Sequence, residues 1–208
     1  SLWDTYRALH PLFNLVQRDI NADIVNSMLA HYDKSVEHML PVWSFYGNET
    51  WCMIGYHAVS VIADAIMKDV KGFDYERAYE AMKTTATNPN YDCLPEYTEL
   101  GWVPFDKEKE SVSKSLEYAY DDYCIAQVAQ KLGKTEDYES EKNHAGGARG
   151  RRADPRRALG ARENGQCPNQ GRHRTPKGRN RPEYLRQLRR APRPLHLRRA
   201  LRARIAPF

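Results

Sequence analysis

The sequence predicts an all-α domain followed by a tail of a different kind. Apolar residues recur at helical spacing over residues 1–142, and no run alternates in the manner of a strand. One segment within that stretch, residues 50–68, is apolar or small nearly all round, which marks an inner helix with others packed about it. The composition then changes abruptly at Lys142. Residues 1–142 hold 13 Lys and Arg against 24 Asp and Glu, whereas residues 143–208 hold 19 against 3. Buried helices alternating with amphipathic ones suit part of an α/α toroid or helical layer better than a four-helix bundle.

The elements are expected as follows. A first helix runs from Thr5 to about Arg18 on the stripe Tyr6, Leu9, Leu12, Phe13 and Val16, kinked or restarted at Pro11. A second spans about Ala22 to Lys34 with Ile24, Val25, Met28 and Leu29 on one face. Leu40 to Thr50 is loop, and the inner helix follows from about Thr50 to Lys68. Asp74 is a natural N-cap for a helix to about Thr85, striped by Tyr75, Ala78, Tyr79 and Met82. Residues 88–109 contain Pro89, Pro95, Gly101 and Pro104 and read as a long irregular segment of the kind that often carries function. A helix from about Ser113 to Leu132 stops at Gly133, and a short one starts near Glu136.

The net charge of +5 describes neither part of the chain. Eighteen of the 19 basic residues after Lys142 are Arg, Ser is absent there, and Ala, Gly, Pro and Arg dominate. Such a segment cannot bury enough apolar surface to fold alone. It reads as the product of a wrong reading frame in a GC-rich gene, whose codons yield these residues, or as a disordered arm binding nucleic acid through phosphates. Cys52, Cys93, Cys124 and Cys167 form no CxxC pair, and Cys52 and Cys124 fall in apolar pattern as packed thiols. No window is long and apolar enough for a membrane helix, so no membrane partner is expected.

The run Ser115-Leu-Glu-Tyr-Ala-Tyr-Asp-Asp-Tyr123 concentrates the chemistry. Glu117 and Asp121 share a helix face, as do Tyr118 and Asp122. Neighbouring carboxylates repel, so a purely structural helix gains little from the first pair. The structural alternative is that acidic residues in a first turn complement the helix dipole.

Six segments in order carry a resemblance: Leu2-Trp-Asp-Thr-Tyr-Arg7 with His10-Pro-Leu; Leu40-Pro-Val-Trp43 with Gly47-Asn-Glu-Thr50; Cys52-Met-Ile-Gly-Tyr-His-Ala58 with Ala63-Asp64; Lys71-Gly-Phe-Asp74; Tyr97 to Pro104; and Ser113 to Asp122. Residues 1–142 resemble the catalytic domain of glycoside hydrolase family 92, the calcium-dependent exo-α-mannosidases of bacteria. The resemblance implies an (α/α)6 toroid after a β-sandwich. About six helices are legible, roughly half the ring, so the chain is expected to be a fragment and inactive alone.

The resemblance further implies hydrolysis of terminal α-mannosyl linkages of glycans with inversion, in a periplasmic or secreted enzyme. Inversion needs two carboxyl groups about 6.5–9.5 Å apart, one protonating the leaving oxygen and one activating water. The aligned segment makes Glu117 the general acid. Its neighbours Leu116, the tyrosines and Asp121 form the apolar and acidic setting that keeps a carboxyl protonated, with Asp121 or Asp122 tuning it or binding sugar hydroxyls. Trp3, Asp4 and Arg7 line a sugar subsite, or else Asp4 and Arg7 pair to cap the first helix. Glu49 binds substrate or caps a helix, and His57 faces the ligand or is a satisfied core histidine. The general base and the calcium ligands belong to later motifs that the chain lacks, so calcium is a cofactor of the parent enzyme. The competing class is a helical scaffold with a nucleic-acid-binding tail.

Overall fold

A computed structural model describes residues 1–150. Seven helices account for most of this stretch: α1 (Leu9–Val16), α2 (Arg18–Lys34), α3 (Ala58–Met67), α4 (Tyr75–Ala86), α5 (Leu94–Leu100), α6 (Ser111–Lys131) and α7 (Thr135–Gly150). The strands β1 (Ser44–Phe45) and β2 (Asn48–Glu49) form one antiparallel hairpin, with Ser44 opposite Glu49. The expected helical architecture is therefore present, and the hairpin is a small correction. Two-residue strands leave no alternation to read, and this one turns on Tyr46 and Gly47, both at positive φ.

The inner helix is α3. Eight of its ten residues are buried, Val59, Ile62, Ala65 and Ile66 fully. It packs on α6, which in turn carries α7, while α1, α2 and α4 close around it. Val25 and Leu29 from α2, Met82 from α4 and Ile125 and Val128 from α6 complete the core. Asp74 caps α4 as expected, its carboxylate accepting from the Arg77 backbone N–H at 3.1 Å.

Four boundaries depart from expectation, each for a local reason. The first helix starts at Leu9 rather than Thr5, which places Pro11 in its first turn, where an N–H has no intrahelical acceptor anyway. Residues 51–57 are not helical: Trp51 and Gly55 sit at positive φ, so α3 is shorter than its apolar run. Within the long segment 88–109, α5 starts with Pro95 at its second position and stops at Gly101 (φ +81°). Helix α7 runs through Lys142, the point of compositional change, as far as Gly150, while the greater part of the Arg-rich tail, 151–208, lies outside the described residues.

Helix α1 also presents the opposite face from the one its apolar stripe implied. Leu9, Leu12, Leu15 and Val16 are exposed, and the buried positions are His10 and Asn14. A polar chain explains the inversion. Asn14 donates to Asp64 at 2.7 Å and accepts from Asn21 at 2.5 Å, and Asn21 meets His10 Nδ1 at 3.3 Å. Buried amides that satisfy one another are held as firmly as apolar groups, and periodicity cannot foresee them.

The loop before α3 is organised by one carboxylate. Glu49 is buried and accepts from the backbone N–H groups of Val42, Trp43, Thr50 and Trp51 at 2.6–3.2 Å. Glu49→Ala leaves those donors without acceptors and is expected to lower stability by about 2–3 kcal/mol in urea denaturation. A loss within about 0.5 kcal/mol would contradict this organising role.

Candidate active site

The entry to α3 docks on the acidic run of α6. Gly55 (φ +80°) lets the chain turn sharply, and a Cβ there would lie 2.5 Å from His57 Cε1, so His57 rests directly against it. Tyr56 and His57 then each take one of the two helix-spaced pairs of α6. The backbone N–H of Tyr56 donates to Asp121 Oδ2 at 2.9 Å, and its hydroxyl donates to Asp122 Oδ1 at 2.6 Å. The Tyr56 ring stacks on Tyr118 at 5.3 Å. His57 bridges the other pair: Nδ1 lies 3.2 Å from Asp121 Oδ1 and Nε2 3.5 Å from Glu117 Oε2.

The N-terminal segment covers this bridge. Tyr6 stacks on the His57 ring, with centroids 3.9 Å apart and planes 6° from parallel. The next residue, Arg7, donates from Nη2 to Glu117 Oε1 at 2.9 Å, and its guanidinium lies 4.8 Å from the Tyr6 ring centre. Glu117 thus faces a cation on one oxygen and an imidazole on the other. This differs from the apolar and acidic setting that its sequence neighbours implied, because Leu116 points outward and Asp121 turns its charge to His57.

Burial governs the charges behind Glu117. It raises the Asp121 carboxyl, and the charge and hydrogen bond of His57, together with the Tyr56 N–H, pull it back only in part. Burial alone would lower His57, but Asp121's charge and hydrogen bond and Glu117's charge raise it on balance, against Arg7. Asp122, almost wholly buried, is pushed up to about 8 by burial, which outweighs the hydrogen bonds from the Tyr56 and Tyr97 hydroxyls. The Tyr56 phenol is raised well above its ordinary value, first by burial and then by Asp122 and Asp121. Two of the three carboxylates in the acidic run are therefore interior groups. Only Glu117 meets solvent, its side chain 25% exposed against 0% for Asp121.

The dipole reading of this run fails, because α6 begins at Ser111 and has no acidic residue in its first turn. Arg7 and His57 converge on Glu117, and Asp121 meets His57 from behind. Asp122 lies behind them in the tyrosine cluster, and Glu49 is occupied by the backbone N–H groups of its loop. Trp3 is exposed and packs edge-on to Trp43 at 5.0 Å. Asp4, at φ +54°, accepts from the Arg7 N–H through its carbonyl, while the Arg7 guanidinium goes to Glu117, so the expected Asp4–Arg7 cap gives way to a longer contact. Sequence reasoning missed Tyr6, Gly55 and Tyr56 as parts of this site. The signal was present in Gly55-Tyr56-His57, where a glycine followed by two polar aromatics opens an apolar helix.

Among the described residues one cluster of His, Cys, Asp or Glu side chains is close enough to hold an ion, Asp92, Cys93 and Glu108, and its donor set does not suit calcium, which takes six to eight oxygen ligands. There the buried Lys114 ammonium already pairs with both carboxylates, and Cys93 is disulfide-bonded. Cys124 is buried as expected, but Cys52 is exposed, because its segment is not helical.

Comparison with known proteins gives a consistent picture. The family model for the glycosyl hydrolase family 92 catalytic domain matches residues 1–148. The family GH92 alpha-mannosidase BT3965 of Bacteroides thetaiotaomicron, solved alone and with mannoimidazole, is 81% identical over 69% of this chain and 19% of its own, with a TM-score of 0.67. The inverting family GH92 mannosidase BT2199 of the same organism is 35% identical over 71% of this chain and 20% of its own, with a TM-score of 0.65. A protein of Arthroderma benhamiae described as an uncharacterized secreted glycosidase is 29% identical over 58% of this chain and 21% of its own length. The chain thus spans about a fifth of the length of these relatives.

The buried Asp122 gives the site a pH signature. Its folded-state pKa, near 8, lies above the ordinary aspartate value of 3.8, so the folded chain keeps a proton that the unfolded chain has released. Stability should therefore fall as pH rises from about 4 to 8, at up to about 1.4 kcal/mol per pH unit, and then level. Asp122→Asn should flatten that decline in denaturation curves taken across the window, and an unchanged slope would contradict the assignment.

Proposed function

This chain belongs to glycosyl hydrolase family 92, and from that premise we propose that residues 1–148 are the acid-bearing part of an inverting, secreted or periplasmic α-mannosidase acting on mannose-containing glycans. One observation carries the reading. Of the three carboxylates in the acidic run, Glu117 alone is open to solvent, while Asp121 and Asp122 are buried and committed to Tyr56, His57 and Tyr97. A group that protonates a glycosidic oxygen must be able to touch it.

In this reading Glu117 gives its proton to the leaving oxygen as the glycosidic bond breaks, and water attacks the opposite face of the sugar with help from a second carboxylate. The Arg7 guanidinium, already on Glu117 Oε1, then stabilises the carboxylate left behind. Trp3, exposed on the same N-terminal segment as Arg7, offers an apolar face to a sugar ring, and Asp4 a hydroxyl partner. Asp121 and Asp122 hold the site and do not bind the sugar, and Glu49 holds the loop that leads to it. The general base is assigned to another part of the whole enzyme, so this chain alone is expected to be inactive. Calcium is proposed as a cofactor of the whole enzyme. The location outside the cytoplasm rests on the fungal glycosidase described as secreted. No described helix is long and apolar enough to cross a membrane.

The test is a chimera in which this segment replaces its counterpart in the 81%-identical Bacteroides thetaiotaomicron enzyme. The chimera should hydrolyse α-mannosides, and Glu117→Gln should lower kcat by about 10²–10⁴ for a poor leaving group such as a sugar. A leaving group that needs no proton, such as dinitrophenolate, should be largely spared. Equal losses on both substrates, or no loss on either, would exclude Glu117 as the acid.

A further inference from the structure

The proton economy of the site points past Glu117 to the imidazole behind it. His57 is 1% exposed, yet each ring nitrogen faces a carboxylate of α6, and the ring is fixed on its remaining sides. Tyr6 covers one face at 3.9 Å, and Gly55 lies so close that even a methyl group there would strike the ring. A neutral core histidine needs a donor for one ring nitrogen and an acceptor for the other, whereas a carboxylate at each nitrogen suits a ring that donates from both. The groups facing it are Glu117 and Asp121 from α6 and Tyr6 and Arg7 from the N-terminal segment.

We propose that His57 is the positioning and proton-supplying residue behind Glu117, sharing one proton with it while Asp121 fixes the tautomer. This rests on the reading of Glu117 as the acid. Asp121, held by the Tyr56 N–H at 2.9 Å, accepts from Nδ1–H and so directs the second ring proton to Nε2, towards Glu117 Oε2. The Nε2–Oε2 separation of 3.5 Å is long for a hydrogen bond, and such contacts commonly tighten when substrate is bound.

The cycle balances on one proton. In the resting pair it forms the Nε2–H bond of the imidazolium, beside the Glu117 carboxylate; that bond breaks as the proton moves to Glu117 Oε2, and the new O–H bond breaks in turn as the leaving oxygen gains the proton. His57 is left neutral, its Nδ1–H still on Asp121, and a proton from solvent returns through Glu117, the partner that meets water, to Nε2. The balance of charges around the ring favours the imidazolium, the form this cycle needs at its start.

The shared proton is testable on the full 208-residue chain, without any activity, by NMR of 15N-labelled histidine, with the His57 signal assigned from its loss in His57→Gln. In the unaltered chain the His57 imidazolium should persist above the ordinary histidine midpoint. Glu117→Gln, at a partly exposed position where folding is not at stake, should lower the His57 midpoint by about one pH unit. In the chimera, His57→Gln should shift the alkaline limb of the kcat–pH profile and leave KM unchanged. A His57 midpoint that ignores Glu117→Gln would overturn the shared proton even if Glu117 proves to be the acid. Coupling present in a chimera that hydrolyses nothing would leave the pair intact and remove only the mannosidase reading.

Discussion

Asp121 is buried completely, with the Tyr56 backbone N–H on one oxygen and His57 Nδ1 on the other. A carboxylate withdrawn from water is costly unless its oxygens are fully used, so these two contacts fix where the entry of α3 must lie against α6. Most of the site follows from that constraint. With Tyr56 and His57 anchored, the Tyr56 hydroxyl reaches Asp122, and the imidazole reaches Glu117. Gly55 is required because no side chain fits between the turn and the ring. The Tyr6 ring then closes the face of His57 and delivers Arg7 to Glu117 from outside.

The arrangement separates three carboxylates that are near neighbours in sequence into three physical roles. Asp122 sits among tyrosines, where burial favours its neutral form and phenol hydroxyls satisfy it. Asp121 keeps a partner on each oxygen and orients an imidazole. Glu117, one turn earlier on the same face, emerges far enough to meet solvent. The repulsion expected between carboxylates one turn apart on a helix is relieved by placing His57 between Glu117 and Asp121. The same principle appears at Lys114, which lies between Asp92 and Glu108.

The sequence revealed the helices whose apolar stripes face the core, such as α4 with its Asp74 cap and the inner part of α3. It also revealed the two i,i+4 pairs of α6, which became the two halves of the docking site. It misjudged α1, where the buried face is an amide and carboxylate chain through Asn14 and Asn21, because periodicity registers apolar contacts and not hydrogen bonds. It carried α3 too far, since Met53 and Ile54 continue the apolar run through a loop whose direction is set by backbone angles at Trp51 and Gly55. Glu49 was legible as important but not in kind: four convergent N–H groups are a property of a folded loop and leave no spacing to read. The position of Arg7 on Glu117, 110 residues apart, likewise exists only in three dimensions.

In the proposed mechanism Glu117, alone among these carboxylates, reaches the reacting oxygen, while Asp121 and Asp122 support it from the interior. The most direct measurement is a crystal structure of the chimeric enzyme holding an unhydrolysed mannoside. A Glu117 carboxyl oxygen is expected within about 2.6–3.2 Å of the glycosidic oxygen, with His57 still between Glu117 and Asp121. A glycosidic oxygen contacted by some other carboxyl group, with Glu117 remaining on Arg7 and away from the sugar, would contradict it.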